Sequence, residues 1–167
     1  MSDFKISNKT GVYTLINKLV RDEVIKIGKF GLHFFPRGFY SYTGSALGTY
    51  SLSLRGRLSR HLSSKKKKRW HIDYLLDSKS TKVVATIYFE THLRMECFIS
   101  ERIENLTNVT SPVKRFGATD CHNNCQSHLH FFPNTSLKKV IEQIYDIYNK
   151  LDSTTSIISP RVATSEL

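Results

Sequence analysis

The apolar spacing of the chain changes period just after Gly44, and that change limits which folds are open to it. Upstream, Gly11–Val20 is dense in β-branched and apolar residues, and Val24–Phe30 alternates apolar with polar. Gly38–Gly44 is rich in aromatics. Turn residues separate these runs at Asp22-Glu23, Gly31 and Pro36-Arg37-Gly38, so the pattern predicts three short strands in an antiparallel meander. Beyond a Gly/Ser/Tyr loop at Ser45–Ser51, Leu52, Leu54, Leu58 and Leu62 fall on or near one side of a helix, with Arg57, Arg60 and His61 largely on another. Trp70–Leu76 reads as a short helix, Thr81–Phe89 as a buried strand and Arg94–Asn105 as a helix. Residues 106–127 read as loop, His128–Phe132 as a short strand, and Ser136–Leu151 as an amphipathic helix with Ser136 at its N-cap.

A length of 167 residues suits one domain, and 40% hydrophobic residues supply enough apolar material to exclude a wholly disordered chain. We expect an extension over residues 1–8, one domain over 9–151, and a disordered Ser/Thr-rich tail over 152–167. The net charge of +11 is not spread along the chain. Between Val24 and Ile72 there are 11 cations and no acidic residue, while the remainder holds 14 cations and 14 anions. A contiguous excess of this kind points to a surface facing a polyanion. Lys65–Arg69, together with Arg60, is its densest part and is expected to meet the backbone phosphates of nucleic acid; a solvated face is the bland alternative.

Met1–Lys9 is polar and lacks the apolar core of a secretory leader, and no apolar run approaches the ~20 residues of a membrane span, so the expectation is a soluble cytoplasmic protein. Cys97, Cys121 and Cys125 are too few for a disulfide framework. Cys121, His122, Cys125 and His128 have spacings seen in soft-metal sites, which makes a structural Zn²⁺ at Cys121, Cys125 and His128 a minor reading. Zinc wants four ligands, and drawing all of them from one 8-residue stretch without a second knuckle is unusual.

Gly11-Val12-Tyr13 on a first strand and Tyr42-Thr43-Gly44 on a later one, followed by Arg57-x-x-x-His61 on a helix, resemble the GIY-YIG nuclease domain. Trp70–Leu76, Phe116–Cys121 and Ser127-His128-Leu129 are similar to its Uri-like, mostly archaeal subgroup, and the likeness spans roughly residues 9–132. The resemblance implies an α+β fold, a small antiparallel sheet of three to four strands flanked by helices. It implies an endonuclease that hydrolyses phosphodiester bonds with Mg²⁺ or Mn²⁺. Tyr13 and Tyr42 would be the signature tyrosines, Arg57 the phosphate clamp, His61 the residue one helical turn on, and Glu96 the metal carboxylate, with Glu101 as fallback. Three features depart from the common pattern: Ser45 stands where Lys often follows the second glycine, Gly44 and Arg57 are 13 positions apart, and no late Asn is assignable.

The residue types suit that chemistry on their own terms. An Arg can fork onto phosphate oxygens, and a lone carboxylate suits Mg²⁺, which keeps most of its waters. A tyrosine moves protons only if its pKa of ~10 is lowered, which Arg57 and the surrounding positive charge would favour; His61, near ~6.5, is the easier acceptor. Either Tyr13 or His61 is the candidate base. Trp70 and His71 read as packing residues. Without a recognition helix, contacts to DNA (or RNA) should follow backbone structure rather than sequence, as in a repair nuclease. Two other functions remain open at this point: a nucleic-acid-binding module without catalysis on the same scaffold, and a zinc-stabilised adaptor.

Overall fold

The computed structural model describes residue 6, residues 8–151 and residues 161–164. Strand β1 (Gly11–Leu19) is buried along almost its whole length, so both of its edges must be paired inside the protein. Two long strands supply those edges, β4 (Gly38–Ala46) on one side and β5 (Thr81–Glu90) on the other, both antiparallel. β6 (Leu129–Phe132) extends the sheet from β4 and β7 (Arg161–Thr164) extends it from β5, giving the order β6-β4-β1-β5-β7. The fold is α+β, with an antiparallel sheet flanked by helices. A bulge between Ile16 and Asn17 shifts the β1–β5 register.

Two expectations are corrected. The meander does not form, because β2 (Glu23–Lys26) and β3 (Leu32–Phe35) pair only with each other as a separate ribbon. β2 is too short to cover a nine-residue central strand, and the chain from Gly28 to Phe30 coils into a 3₁₀ turn instead of continuing it. Gly28 and Gly31, at φ +49° and +82°, allow that reversal. The tail expected to be disordered from residue 152 contributes β7, so the sheet gains a fifth strand; the rest of 152–167 lies outside the described residues.

Strand alternation divides the molecule into two cores. Tyr13, Leu15 and Leu19 face one side with Tyr40 and Tyr42, and pack against Leu54 and Leu58 of α1 (Leu54–Leu62) and Ile72 and Leu75 of α2 (His71–Leu76). Val12 and Ile16 face the other side, where they meet Ile99 and Ile103 of α3 (Glu96–Glu104) and Val140, Ile144 and Tyr148 of α4 (Leu137–Leu151). That last trio repeats every fourth residue, the apolar stripe of a helix with one buried face, and each aliphatic member contributes about 1.5–3 kcal/mol of transfer free energy. Ser136 caps the helix as expected, its Oγ accepting from the Lys139 N–H. Among the described residues no helix is long and apolar enough to cross a membrane.

Candidate functional site

The β1–β4 register sets Tyr13 opposite Gly44 and Tyr42 opposite Leu15, which puts both tyrosines on the face that carries α1. Gly44 is obligatory for steric reasons. A Cβ there would lie 2.6 Å from the Tyr13 hydroxyl, inside contact distance, so glycine lets the phenol approach β4 this closely. Gly11 is confined likewise, since its Cβ would come 2.3 Å from the Phe89 carbonyl oxygen on β5. The two glycine–tyrosine motifs are thus packing solutions that hold the phenols in place.

Ser53 caps α1 by accepting the Gly56 N–H on Oγ (3.2 Å). The helix then carries Arg57 and His61, four apart, on the side facing the tyrosines. The His61 Nε2 lies 2.8 Å from the Tyr13 hydroxyl, and the Tyr42 ring meets the His61 ring edge-on at 6.2 Å. Tyr13 is 3% and His61 2% exposed. Burial holds the His61 pKa down at about 3; Lys66, Arg60 and Arg57 push the same way, and Asp73 opposes them without prevailing. The imidazole is therefore neutral at pH 7. Burial, assisted by Tyr42, raises Tyr13 well above 10 despite Arg57, and raises Tyr42 too. The expectation that positive charge would lower these phenols is corrected: desolvation outweighs it.

Arg57 lies over the Trp70 ring at 4.4 Å, and Arg60 also lies over it at 4.2 Å. This indole, expected only to pack, is the platform that aims the Arg57 guanidinium, whose Nε is buried with no hydrogen-bond partner among the described residues. Arg60, expected among the phosphate-facing cations, is engaged within the protein. It donates to both carboxylate oxygens of fully buried Asp73 (2.7 and 2.9 Å) and to the Lys67 carbonyl (2.7 Å). Burial pushes the Asp73 carboxyl up, but the hydrogen bonds from Arg60 and from the Trp70 and Arg69 N–H groups prevail and hold it below its usual range. Asp73 thereby fixes the start of α2 to the end of α1. His71, read as structural, is so: its Nδ1 accepts the Gly117 N–H at 3.0 Å.

The basic run divides by partner. Lys66 donates to the His61 and Ser63 carbonyls, closing the C-terminal end of α1, and Lys68 pairs with Asp77 at 2.6 Å. Lys65, Lys67 and Arg69 are exposed side chains with no ion pair among the described residues.

Glu96 opens α3 and accepts a hydrogen bond from Ser45 Oγ; Arg94 stands 3.8 Å away. Ser45, which occupies the departure from the nuclease pattern, therefore orients the carboxylate. Tyr13, Tyr42, Arg57, Trp70 and Glu96 line one cleft of about 430 Å³, and His61 stands directly behind Tyr13. Glu101, the fallback, is exposed and outside this cleft. Asp120 lies on the cleft wall, so the lining of the cleft includes two carboxylates and the Ser45 hydroxyl.

The cleft wall also carries a Cys₃His cluster with the donor set to hold a metal ion. The sulfurs of Cys97, Cys121 and Cys125 and a ring nitrogen of His128 all lie within 4.8 Å of one another. Spacing alone pointed to Cys121, Cys125 and His128 but missed Cys97, which lies 24 positions upstream of Cys121 and reaches it only because α3 folds back. His122, the local candidate for a fourth ligand, is exposed and outside the cluster.

No curated protein and no solved structure matches the chain. A family profile described as "Domain of unknown function DUF123" matches residues 12–151, from β1 through the end of α4. Its span includes every residue of the cleft and of the cysteine cluster, and the chain belongs to the DUF123 family.

Proposed function

We propose that the cleft is the active site of a metal-dependent endonuclease of GIY-YIG type, acting on phosphodiester bonds in DNA according to its structure rather than its sequence. The observation that carries this reading is convergence: Tyr13, Tyr42, Arg57 and Glu96, from two strands and two helices, line one cleft with His61 bonded to Tyr13 behind it. This convergence supports the reading that the resemblance suggested.

The geometry supports a proton relay. In the tautomer that accepts at Nε2, His61 receives the Tyr13 hydroxyl proton while the Tyr13 oxygen takes a proton from the attacking water, so no free phenolate is needed. The water oxygen bonds to phosphorus as the bond to the leaving oxygen breaks, and that oxygen takes a proton from solvent. The buried imidazole is a weak base, but an anionic phosphate in the cleft favours its charged form. Arg57, stacked on Trp70, offers its guanidinium fork to the phosphate oxygens. Glu96, with Asp120 on the same wall, would hold Mg²⁺ or Mn²⁺, which would supply Lewis-acid polarisation of the phosphate. The soft Cys₃His set is a poor site for Mg²⁺.

The test is a panel of labelled single-stranded, duplex, flapped and branched DNAs and RNAs, with and without Mg²⁺. Cleavage should require the metal and fall by about 10²-fold or more in Arg57→Ala and Glu96→Ala. Cleavage unaffected by both substitutions overturns the assignment. The burial of Tyr13 and His61 favours a second reading, a binding module on the same scaffold without catalysis. Salt-sensitive binding of these nucleic acids with no cleavage of any of them selects it.

A further inference from the structure

We propose that Cys97, Cys121, Cys125 and His128 form a closed tetrahedral Zn²⁺ centre that pins the first turn of α3 to the wall of the cleft. Its consequence for Glu96 rests on the function proposed above; the centre itself does not. The four donor atoms already lie within 4.8 Å of one another. Cys97 Sγ is 3.1 Å from Cys121 Sγ and 3.8 Å from His128 Nε2, and Cys121 Sγ is 3.3 Å from Cys125 Sγ. A tetrahedral ion with Zn–S bonds of ~2.3 Å has ligand edges of roughly 3.8 Å, so changes of about 1 Å or less in these separations complete the shell.

The chemistry of the set selects the ion. Three sulfurs and one imidazole are soft and borderline donors with no carboxylate among them, which disfavours Mg²⁺ and Ca²⁺, and a four-coordinate S₃N shell is characteristic of zinc. All four positions are filled by protein, so no site is left for water or substrate and the centre is structural. Three half-buried thiols in mutual contact have no comparable explanation as packing, since apolar side chains would fill the same space without polar atoms.

The location gives the centre its effect. Cys97 follows Glu96 directly on α3, Cys121 and Cys125 belong to the loop before β6, and His128 is the last residue of that loop. The His128 carbonyl accepts the Thr43 N–H at 3.0 Å, and Thr43 follows Tyr42 on β4. One ion therefore ties the Glu96 helix to the loop and, through it, to the strand that bears Tyr42. The carboxylate is then held from two directions, by Ser45 Oγ at its tip and by the Cys97–metal bond at its backbone.

The full-length chain, purified without added metal, is assayed for metal content by mass spectrometry and after exchange with Co²⁺ by visible absorption. One Zn²⁺ per chain and the intense bands of tetrahedral thiolate-bound cobalt are expected. His122→Ala should keep both. Cys97→Ser should lose the ion, and Cys97→His, which retains a ligand, should bind Co²⁺ with about a third of the thiolate charge-transfer intensity gone. Hydrogen exchange after chelation should show faster exchange in the first turn of α3 while β1 stays protected. Metal-free protein, a Cys97→His cobalt spectrum identical to wild type, or loss of the ion in His122→Ala overturns the centre; unchanged exchange in α3 overturns the pinning. None of these readouts uses cleavage, so failure here is separable from failure of the nuclease reading.

Discussion

The Tyr13 hydroxyl and His61 Nε2 lie 2.8 Å apart with both side chains buried, which makes each the other's principal polar neighbour. His61 Nδ1 has no partner among the described residues, so Tyr13 bears the whole burden of satisfying this imidazole. Tyr13→Phe removes one oxygen and leaves both ring nitrogens unpaired, at a cost of about 1–3 kcal/mol of stability. If the relay operates, single-turnover cleavage falls by about 10²–10⁴-fold under conditions where urea unfolding shows the variant folded. A rate that falls only in proportion to the unfolded fraction removes Tyr13 from the chemistry.

Acid should destabilise the fold well above the usual carboxylate range. His61 is held neutral, with its pKa lowered from 6.5 to about 3 mainly by burial; it is faced by Tyr13, Tyr42, Trp70, Arg57, Arg60, Lys66 and Asp73. A depressed folded-state pKa means that the unfolded chain takes up the proton first. The stabilisation is complete above pH 6.5 and is lost as the pH falls towards 3, at about 1.4 kcal/mol per pH unit within that window. Asp73, also depressed, adds to the loss only below its ordinary value of 3.8. Urea unfolding at pH 7 and pH 5 should differ by about 2 kcal/mol on account of His61 alone, and His61→Gln should reduce that slope without abolishing it, because burial lowers His130 in the same way. Equal slopes in the two proteins would assign the acid sensitivity elsewhere.

Much of this site was legible because local rules decide it. Runs rich in β-branched, apolar or aromatic residues located β1, β4 and β5, helical spacing put Arg57 and His61 on one face, and the Gly11 and Gly44 positions follow from close backbone or ring approach that a Cβ would block. What stayed hidden depends on contacts remote in sequence. Cys97 completes its cluster only through the return of α3. The meander failed because the full burial of β1 demands long partners, a property of the assembled sheet rather than of β2. Phenol and imidazole pKa values were misjudged because charge can be counted from composition but desolvation cannot. Arg60 looks like any other cation in the basic stretch until Asp73 is folded beneath it.

The Arg60–Asp73 pair makes a separate prediction. Asp73 is fully buried and binds Arg60 through both carboxylate oxygens, so Asp73→Ala leaves a cation and two backbone N–H groups facing an empty site. The expected loss is about 3–5 kcal/mol, the usual consequence of breaking a buried pair from one side. Because Arg60 shares the Trp70 ring with Arg57, the loss should also weaken phosphate binding in any protein that remains folded. Chemical denaturation checks the first effect and titration with labelled DNA the second; a change below about 1 kcal/mol would mean that the clamp is dispensable.

The basic run should act through only some of its members. Lys65, Lys67 and Arg69 carry exposed side chains without ion pairs among the described residues, whereas Lys66 closes the end of α1 and Lys68 is held by Asp77. A cation that neutralises a phosphate releases about one counterion, so each of the three contributes close to one unit to the slope of log affinity against log salt. Replacing all three with Ala should reduce that slope by about 3 and weaken binding evenly across DNA sequences. Lys68→Ala should leave the slope unchanged, while Lys66→Ala should lower stability through the loss of its bonds to the His61 and Ser63 carbonyls. Fluorescence anisotropy across a range of salt concentrations reads all of these variants. If Lys68→Ala reduces the slope as much as Lys67→Ala does, the whole run is a diffuse charge and the division by partner is wrong.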